Sequence, residues 1–173
     1  MKINKRLAIE AKKHNICDNW FNDILKANDK DKMIEIYLKG IDFCLLNDYP
    51  TRPFIQKHFS KEIMNKYNIF LDEKIEAQNT QNIVILGNSS GTVEYAGYEV
   101  GQVFVSHEAK LTVIASDNSF VMVSTFGKCE VDVIASNDAK VCVFYYAGKL
   151  TTATGSEQGN AVIKVIHKHS KTN

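Results

Sequence analysis

From residue 81 onward the chain repeats every ten residues, and this period restricts its fold more than any other property. Aligned decads read GTVEYAGYEV, GQVFVSHEAK, LTVIASDNSF, VMVSTFGKCE, VDVIASNDAK and VCVFYYAGKL, with QNIVILGNSS in front and the looser TTATGSEQGN and AVIKVIHKHS behind. The third place is Ile83, Val93, Val103, Val113, Val123, Val133, Val143, Ala153 and Ile163. The first place is Leu111, Val121, Val131 and Val141 through the middle, and the fifth carries Ile85, Tyr95, Val105, Ala115, Ala135, Tyr145 and Val165. Alternate residues of a strand face the same way, so each decad is a strand of about five residues whose odd side chains share a core. The residues between, rich in Ser, Asp, Asn, Gly and Lys, form a corner. A repeat of this kind predicts a β-solenoid, in which each rung stacks on the last and buries what one rung alone leaves open.

Similarity peaks at a spacing of twenty. VIASDN at 113–118 returns as VIASND at 133–138, and Phe126-Gly127 is answered by Tyr146-Ala147-Gly148. Two strands per rung is therefore the preferred geometry, giving about four rungs, with three strands per rung or a two-sheet sandwich as alternatives. The fourth places should point outward, yet they hold Phe104, Ile114, Ile134 and Phe144. Outward apolar residues need a cover. The helical half is the expected cover for one sheet, and self-association or a protein partner for the other. The open end of the roll needs a cap from the helices, from the HKH tail or from another subunit.

Before residue 80 the period is helical and Gly and Pro are scarce. Leu7, Ile9 and Ala11 mark a basic amphipathic helix up to about His14, and Asp18 reads as the N-cap of a second helix bearing Trp20, Phe21, Ile24 and Leu25. Residues 30–46 place Met33, Ile34, Tyr37, Leu38, Ile41, Cys44 and Leu45 on one face of a third. NDYPTRP ends it, because each proline disfavours helix at the residue before it. Pro53 opens a short helix and Ser60 another. The fold class is thus α+β: a small N-terminal α-helical domain over residues 1–80, followed by a C-terminal β-solenoid of ten-residue strand-turn units over residues 81–173.

Composition excludes several classes of function. Net charge is +1, so no global field draws in nucleic acid. No window reaches the roughly eighteen apolar residues of a membrane span, and Met1 to Lys13 lacks the apolar run of a signal peptide. The four cysteines, Cys17, Cys44, Cys129 and Cys142, form no CxxC pair and read as reduced thiols of a cytoplasmic protein. Charge concentrates at two ends. Lys2, Lys5, Arg6, Lys12 and Lys13 form a basic end that is a candidate phosphate contact, and Lys164, His167, Lys168, His169 and Lys171 form another.

The repeat also filters candidate chemistry. Ser116, Ser136, Asp117 and Asp138 fall where corners recur, so the Ser-Asp pairs read as turn residues rather than as an active site. His107 with Glu108 lacks a nucleophile at a matched place, and His167 with His169 supplies too few ligands for a metal. Cys17 near His14 and His58 near Tyr67 belong to no catalytic pattern. GNSSG at 87–91 precedes a strand, so it lacks the helix N-terminus that holds phosphate. No catalytic residue, cofactor or metal is expected. Phe104, Phe126, Phe144, Tyr145 and Tyr146 form the candidate apolar and aromatic binding face.

A helical region with GIDFCLLNDYPTRPFIQKHF, an Asn-rich join and decad strands of the VxVxAxDNA sort resembles small proteins of Bacteroidetes bacteria and of their phages and prophages. The resemblance implies no catalytic residues. It suggests an interaction protein of a mobile element, which disables a host defence machine such as a CRISPR effector or its guide RNA by stoichiometric binding. Its partner would be a protein or ribonucleoprotein, with RNA and self-association both compatible, and no membrane. The alternative is a structural role in a phage virion, as a fibre or decoration protein. An enzyme ranks third.

Overall fold

The computed structural model describes residues 1–155 and 159–169. The chain divides into two compact units, Met1–Tyr67 and Asn68–Asn173. Among the described residues the first unit holds α1 (Ile3–Lys13), α2 (Asp18–Lys26), α3 (Lys30–Lys39), α4 (Ile41–Leu46), α5 (Arg52–His58) and α6 (Lys61–Asn65). The second holds β1 (Ile69–Leu71), β2 (Lys74–Gln78), β3 (Asn82–Leu86), β4 (Ser90–Tyr95), β5 (Val100–Val105), β6 (Lys110–Ala115), β7 (Phe120–Thr125), β8 (Glu130–Ala135), β9 (Lys140–Tyr145), β10 (Lys149–Thr154) and β11 (Val162–His167).

In the helical unit Leu7, Ala8 and Ala11 of α1, Ile24 of α2, Ile34 of α3, Ile41, Cys44 and Leu45 of α4, Ile55 of α5 and Met64 of α6 are buried. The Tyr49 hydroxyl donates to the Leu7 carbonyl at 2.9 Å, tying the loop after α4 to α1. Two local readings need correction. Asp18 is the first helical residue rather than the cap, and its carboxylate pairs with Lys12 at 2.6 Å. Asp29 is the residue that caps, accepting from the Lys32 amide at 2.7 Å in front of α3. The 30–46 helix is also broken at Gly40, where the Trp20 ring lies so close that an added Cβ would sit 1.3 Å from its Cη2. Apolar periodicity runs through this break because both short helices bury the same face.

The second unit is a β-solenoid with two strands per rung. Odd-numbered strands form one sheet, β1-β3-β5-β7-β9-β11, and even-numbered strands the other, β10-β8-β6-β4-β2. Every neighbouring pair is parallel, and the twenty-residue spacing is the register itself, with Val113 opposite Val133 and Val103 opposite Val123. Val93, Val103, Val113, Val123, Val133 and Val143 fill the interior and are fully or almost fully buried. The solenoid starts earlier than residue 81, because β1 and β2 form its first rung and the division falls after Tyr67. Ile69 pairs with Val84, a step of fifteen residues instead of twenty, so decads counted from residue 81 do not extend back over this rung. A second phase slip follows β9, whose corner is one residue short. Thr152 consequently pairs with Val133 and takes the inward place expected for Ala153, which faces outward beside Ile134.

The seventh place of the decad carries the corners. Gly87, Gly97, His107, Asp117, Gly127 and Asn137 all have φ between 56° and 68°. L-residues other than Gly, Asn, Asp and His seldom adopt this left-handed conformation. The ninth place then turns back inside, where Ser89, Ala109, Ser119, Cys129 and Ala139 are buried and small enough to fit the bend.

Candidate functional site

Hydrogen bonds between successive rungs hold the described corners together. Asp117 Oδ2 accepts from the Gly97 amide at 2.9 Å, and its Oδ1 accepts from Asn137 Nδ2 at 3.1 Å. His107 Nδ1 accepts from the Gly87 amide at 2.9 Å, one rung below, so its ring braces the corner. His58 and Tyr67 do not meet: Tyr67 donates to Asp31 at 2.7 Å, while the His58 ring lies tilted against Phe54 with centroids 4.5 Å apart. Among the described residues no three His, Cys, Asp or Glu side chains converge as a metal site would require.

The expected basic end is distributed over α1 but largely engaged. Lys12 pairs with Asp18, and Lys13 with Glu10 at 2.8 Å. Arg6 lies over the Phe54 ring at 5.2 Å, with Nη1 3.4 Å from His58 Nε2. Lys2 and Lys5 stay exposed, and no carboxylate among the described residues pairs with either. The five cations therefore do not act as one free patch. Lys171 lies outside the described residues.

The expected aromatic face separates into four environments. Phe104 stands on the outer side of the odd-numbered sheet between Val84 and Ser124, and at 6% exposure it presents almost no surface. Phe126, at 1%, stacks on Tyr146 at 4.6 Å and 14°, so this pair is an internal ladder between rungs rather than a platform. Tyr145 points into the roll, donates to the Gly148 carbonyl at 2.8 Å and meets the His167 ring edge at 5.1 Å. Phe144 alone of the five lies on an accessible outer face, with Lys168 Nζ 5.4 Å from its ring centre.

Around Phe144 the structure assembles residues that the repeat reading did not single out. Val100, Phe120, Lys140 and Val162 stand in register on β5, β7, β9 and β11, at 52% exposure for Val100, 40% for Phe120 and 51% for Val162. The next row is Gln102, Met122, Cys142 and Lys164, and the third ends in Phe144 and Ile166. Parallel neighbours are about 4.8 Å apart, so four strands make a flat strip about 15 Å wide. No strand of this sheet contains Asp or Glu. The even-numbered sheet carries Glu76, Glu94, Glu130 and Asp132, with Lys110 paired to Glu130 at 3.5 Å. One face is apolar and basic, the other mixed.

A signal for this face was present. The tenth place reads Val100, Lys110, Phe120, Glu130 and Lys140, and splitting the decads into alternate sets puts apolar Val100 and Phe120 with Lys140 on one sheet and charged Lys110 and Glu130 on the other. Treating every decad as equivalent averages that difference away. Comparison of the chain with family models, with characterised proteins and with solved structures yields no match.

Proposed function

We propose that the protein is a non-enzymatic interaction protein that engages an acidic partner through the outer face of β5, β7, β9 and β11. One observation supports this reading above others: exposed Val100, Phe120 and Val162 lie beside Lys140, Lys164 and Lys168 on a sheet whose strands carry no acidic residue. An apolar centre flanked by cations suits a partner that brings both stacking surface and negative charge, as a ribonucleoprotein does. The resemblance to mobile-element proteins of Bacteroidetes gives the setting, stoichiometric inhibition of a host defence complex such as a guide-loaded CRISPR effector.

The test uses the full chain and single-stranded RNA, free and within a guide-loaded effector. Three lysine-phosphate contacts predict that log K falls with log salt at a slope of about −2, and each Lys→Ala change at Lys140, Lys164 or Lys168 should reduce it by about 0.7. Phe120→Ser should weaken binding at all salt concentrations. Unchanged binding in these variants overturns the reading. A stable trimer by light scattering, with Phe120 protected from solvent, would favour a virion fibre or decoration protein, because the apolar strip would then lie between subunits.

A further inference from the structure

The helical unit contains a cleft of about 380 Å³, bounded by α1, the loop after α4 and α5. This is the size at which small-molecule sites begin. Its walls are unlike in character. Tyr49, Pro50, Pro53 and Phe54 supply an apolar side, while Arg6 and Lys57 bring positive charge and His58 an imidazole.

Arg6 is the informative residue. A part-buried guanidinium usually meets a carboxylate, since desolvating its charge without a counterion is costly. Here it meets the Phe54 ring at 5.2 Å and His58 Nε2 at 3.4 Å, and no carboxylate among the described residues pairs with it. An Arg N–H directed at Nε2 requires that nitrogen to accept, so the imidazole is neutral with its proton on Nδ1. Burial of the ring, followed by the nearby charges of Arg6, Lys57 and Lys30, holds the His58 pKa below the usual histidine value. The acidic residues on the walls are Glu10, which Lys13 holds at 2.8 Å, and exposed Asp48; Met1, His14 and Tyr49 carry the other titratable groups.

From this geometry we infer that the cleft is a binding site for a small oxyanion carried on an apolar or planar body. A carboxylate or phosphate would take the two N–H groups that Arg6 can present as a fork, Lys57 would add a point charge, and the body would lie along Phe54 and the two prolines. Arrival of the anion supplies the missing counterion. It also favours the imidazolium, so binding is accompanied by proton uptake at His58 and strengthens as pH falls through the histidine range.

NMR titration of the full chain with phenyl phosphate, benzoate and inorganic phosphate tests this, following the His58 ring and the Arg6 guanidinium. Saturable shifts at both are expected, with an upward move of the His58 titration midpoint and about tenfold tighter binding of phenyl phosphate than of inorganic phosphate. Phenyl phosphate and benzoate separate a phosphate site from a carboxylate site. Arg6→Gln should abolish the effect, and Lys57→Gln, at an exposed position, should weaken it several-fold if the first variant folds poorly. Linear shifts spread over surface lysines, or an unmoved His58 midpoint, overturn the inference.

Discussion

Asn137 donates a side-chain N–H to Asp117 Oδ1 at 3.1 Å, and both residues hold the left-handed backbone conformation at φ 56°. The two sit in equivalent corners of successive rungs, which is why VIASDN and VIASND tolerate an exchange of Asp and Asn. What the corner requires is a residue that accepts positive φ and carries a short polar side chain. Asn137→Val supplies neither and should destabilise the protein by about 1–2 kcal/mol in urea unfolding, from the left-handed penalty alone. Asn137→Gly keeps the conformation and should lose no more than about 1 kcal/mol, the worth of the side-chain hydrogen bond.

Inside the roll, Tyr95 occupies the space that Gly101 leaves. A Cβ at residue 101 would come within 2.1 Å of the Tyr95 ring, and the Tyr95 hydroxyl donates to the Thr80 carbonyl at 2.7 Å. Burial raises its pKa well above the ordinary tyrosine value. Gly101→Ala overpacks this point and should cost about 1–3 kcal/mol. Tyr95→Phe keeps the ring but leaves the carbonyl without its donor, and should cost about 1 kcal/mol. Urea unfolding of both variants checks the ranking.

How much of this was legible depends on which force wrote the pattern. Burial inside a narrow roll forces Val into the third place of almost every rung, so the interior follows from the ten-residue period, while the two-strand rung was preferred only from the stronger similarity at twenty. The seventh-place Gly, Asn, Asp and His were visible too, though only the backbone angles tell why His107 belongs with them. Rungs whose corners change length were not legible: β1 and β2 lie out of phase, and Thr152 displaces Ala153. The accessible face was misread for a related reason. Phe104, Phe126 and Phe144 look alike in sequence, but one is covered, one stacks between rungs and one is accessible, because exposure depends on neighbours that no local spacing encodes. Arg6 and His58, fifty-two residues apart, meet only through the fold of the helical unit.

Stability should fall in acid through the link between α3 and the end of α6. Asp31 accepts from Lys66 and from the Tyr67 hydroxyl, and these hydrogen bonds hold its carboxyl below the usual aspartate value. With the folded pKa below the unfolded one, the unfolded chain binds more protons in the intervening range, so stability rises with pH there. The contribution is fully present above the unfolded value of about 4 and disappears as pH falls through the folded value. Asp31→Asn should flatten that part of the profile, measured as the urea midpoint between pH 5 and pH 2.5. An unchanged acid slope in the variant would assign the loss to other carboxylates.

The cysteines provide a chemical probe of the proposed interaction face. Cys44 and Cys129 are buried at 3% and 0% exposure, and burial pushes their thiols up to about 12 and about 11. At pH 8 a thiol of pKa 11 is ionised in only about one molecule in a thousand, and both side chains are shielded as well. Cys17 is exposed and Cys142 partly so, standing between Met122 and Lys164 on the outer face of the odd-numbered sheet. Native protein treated with a maleimide should therefore modify Cys17 and Cys142, and release Cys44 and Cys129 only on unfolding. In a Cys17→Ser background a bulky maleimide on Cys142 should block RNA or effector binding, since Cys142 stands in the row between those holding Phe120 and Phe144. Full binding by the modified protein would place the interface elsewhere.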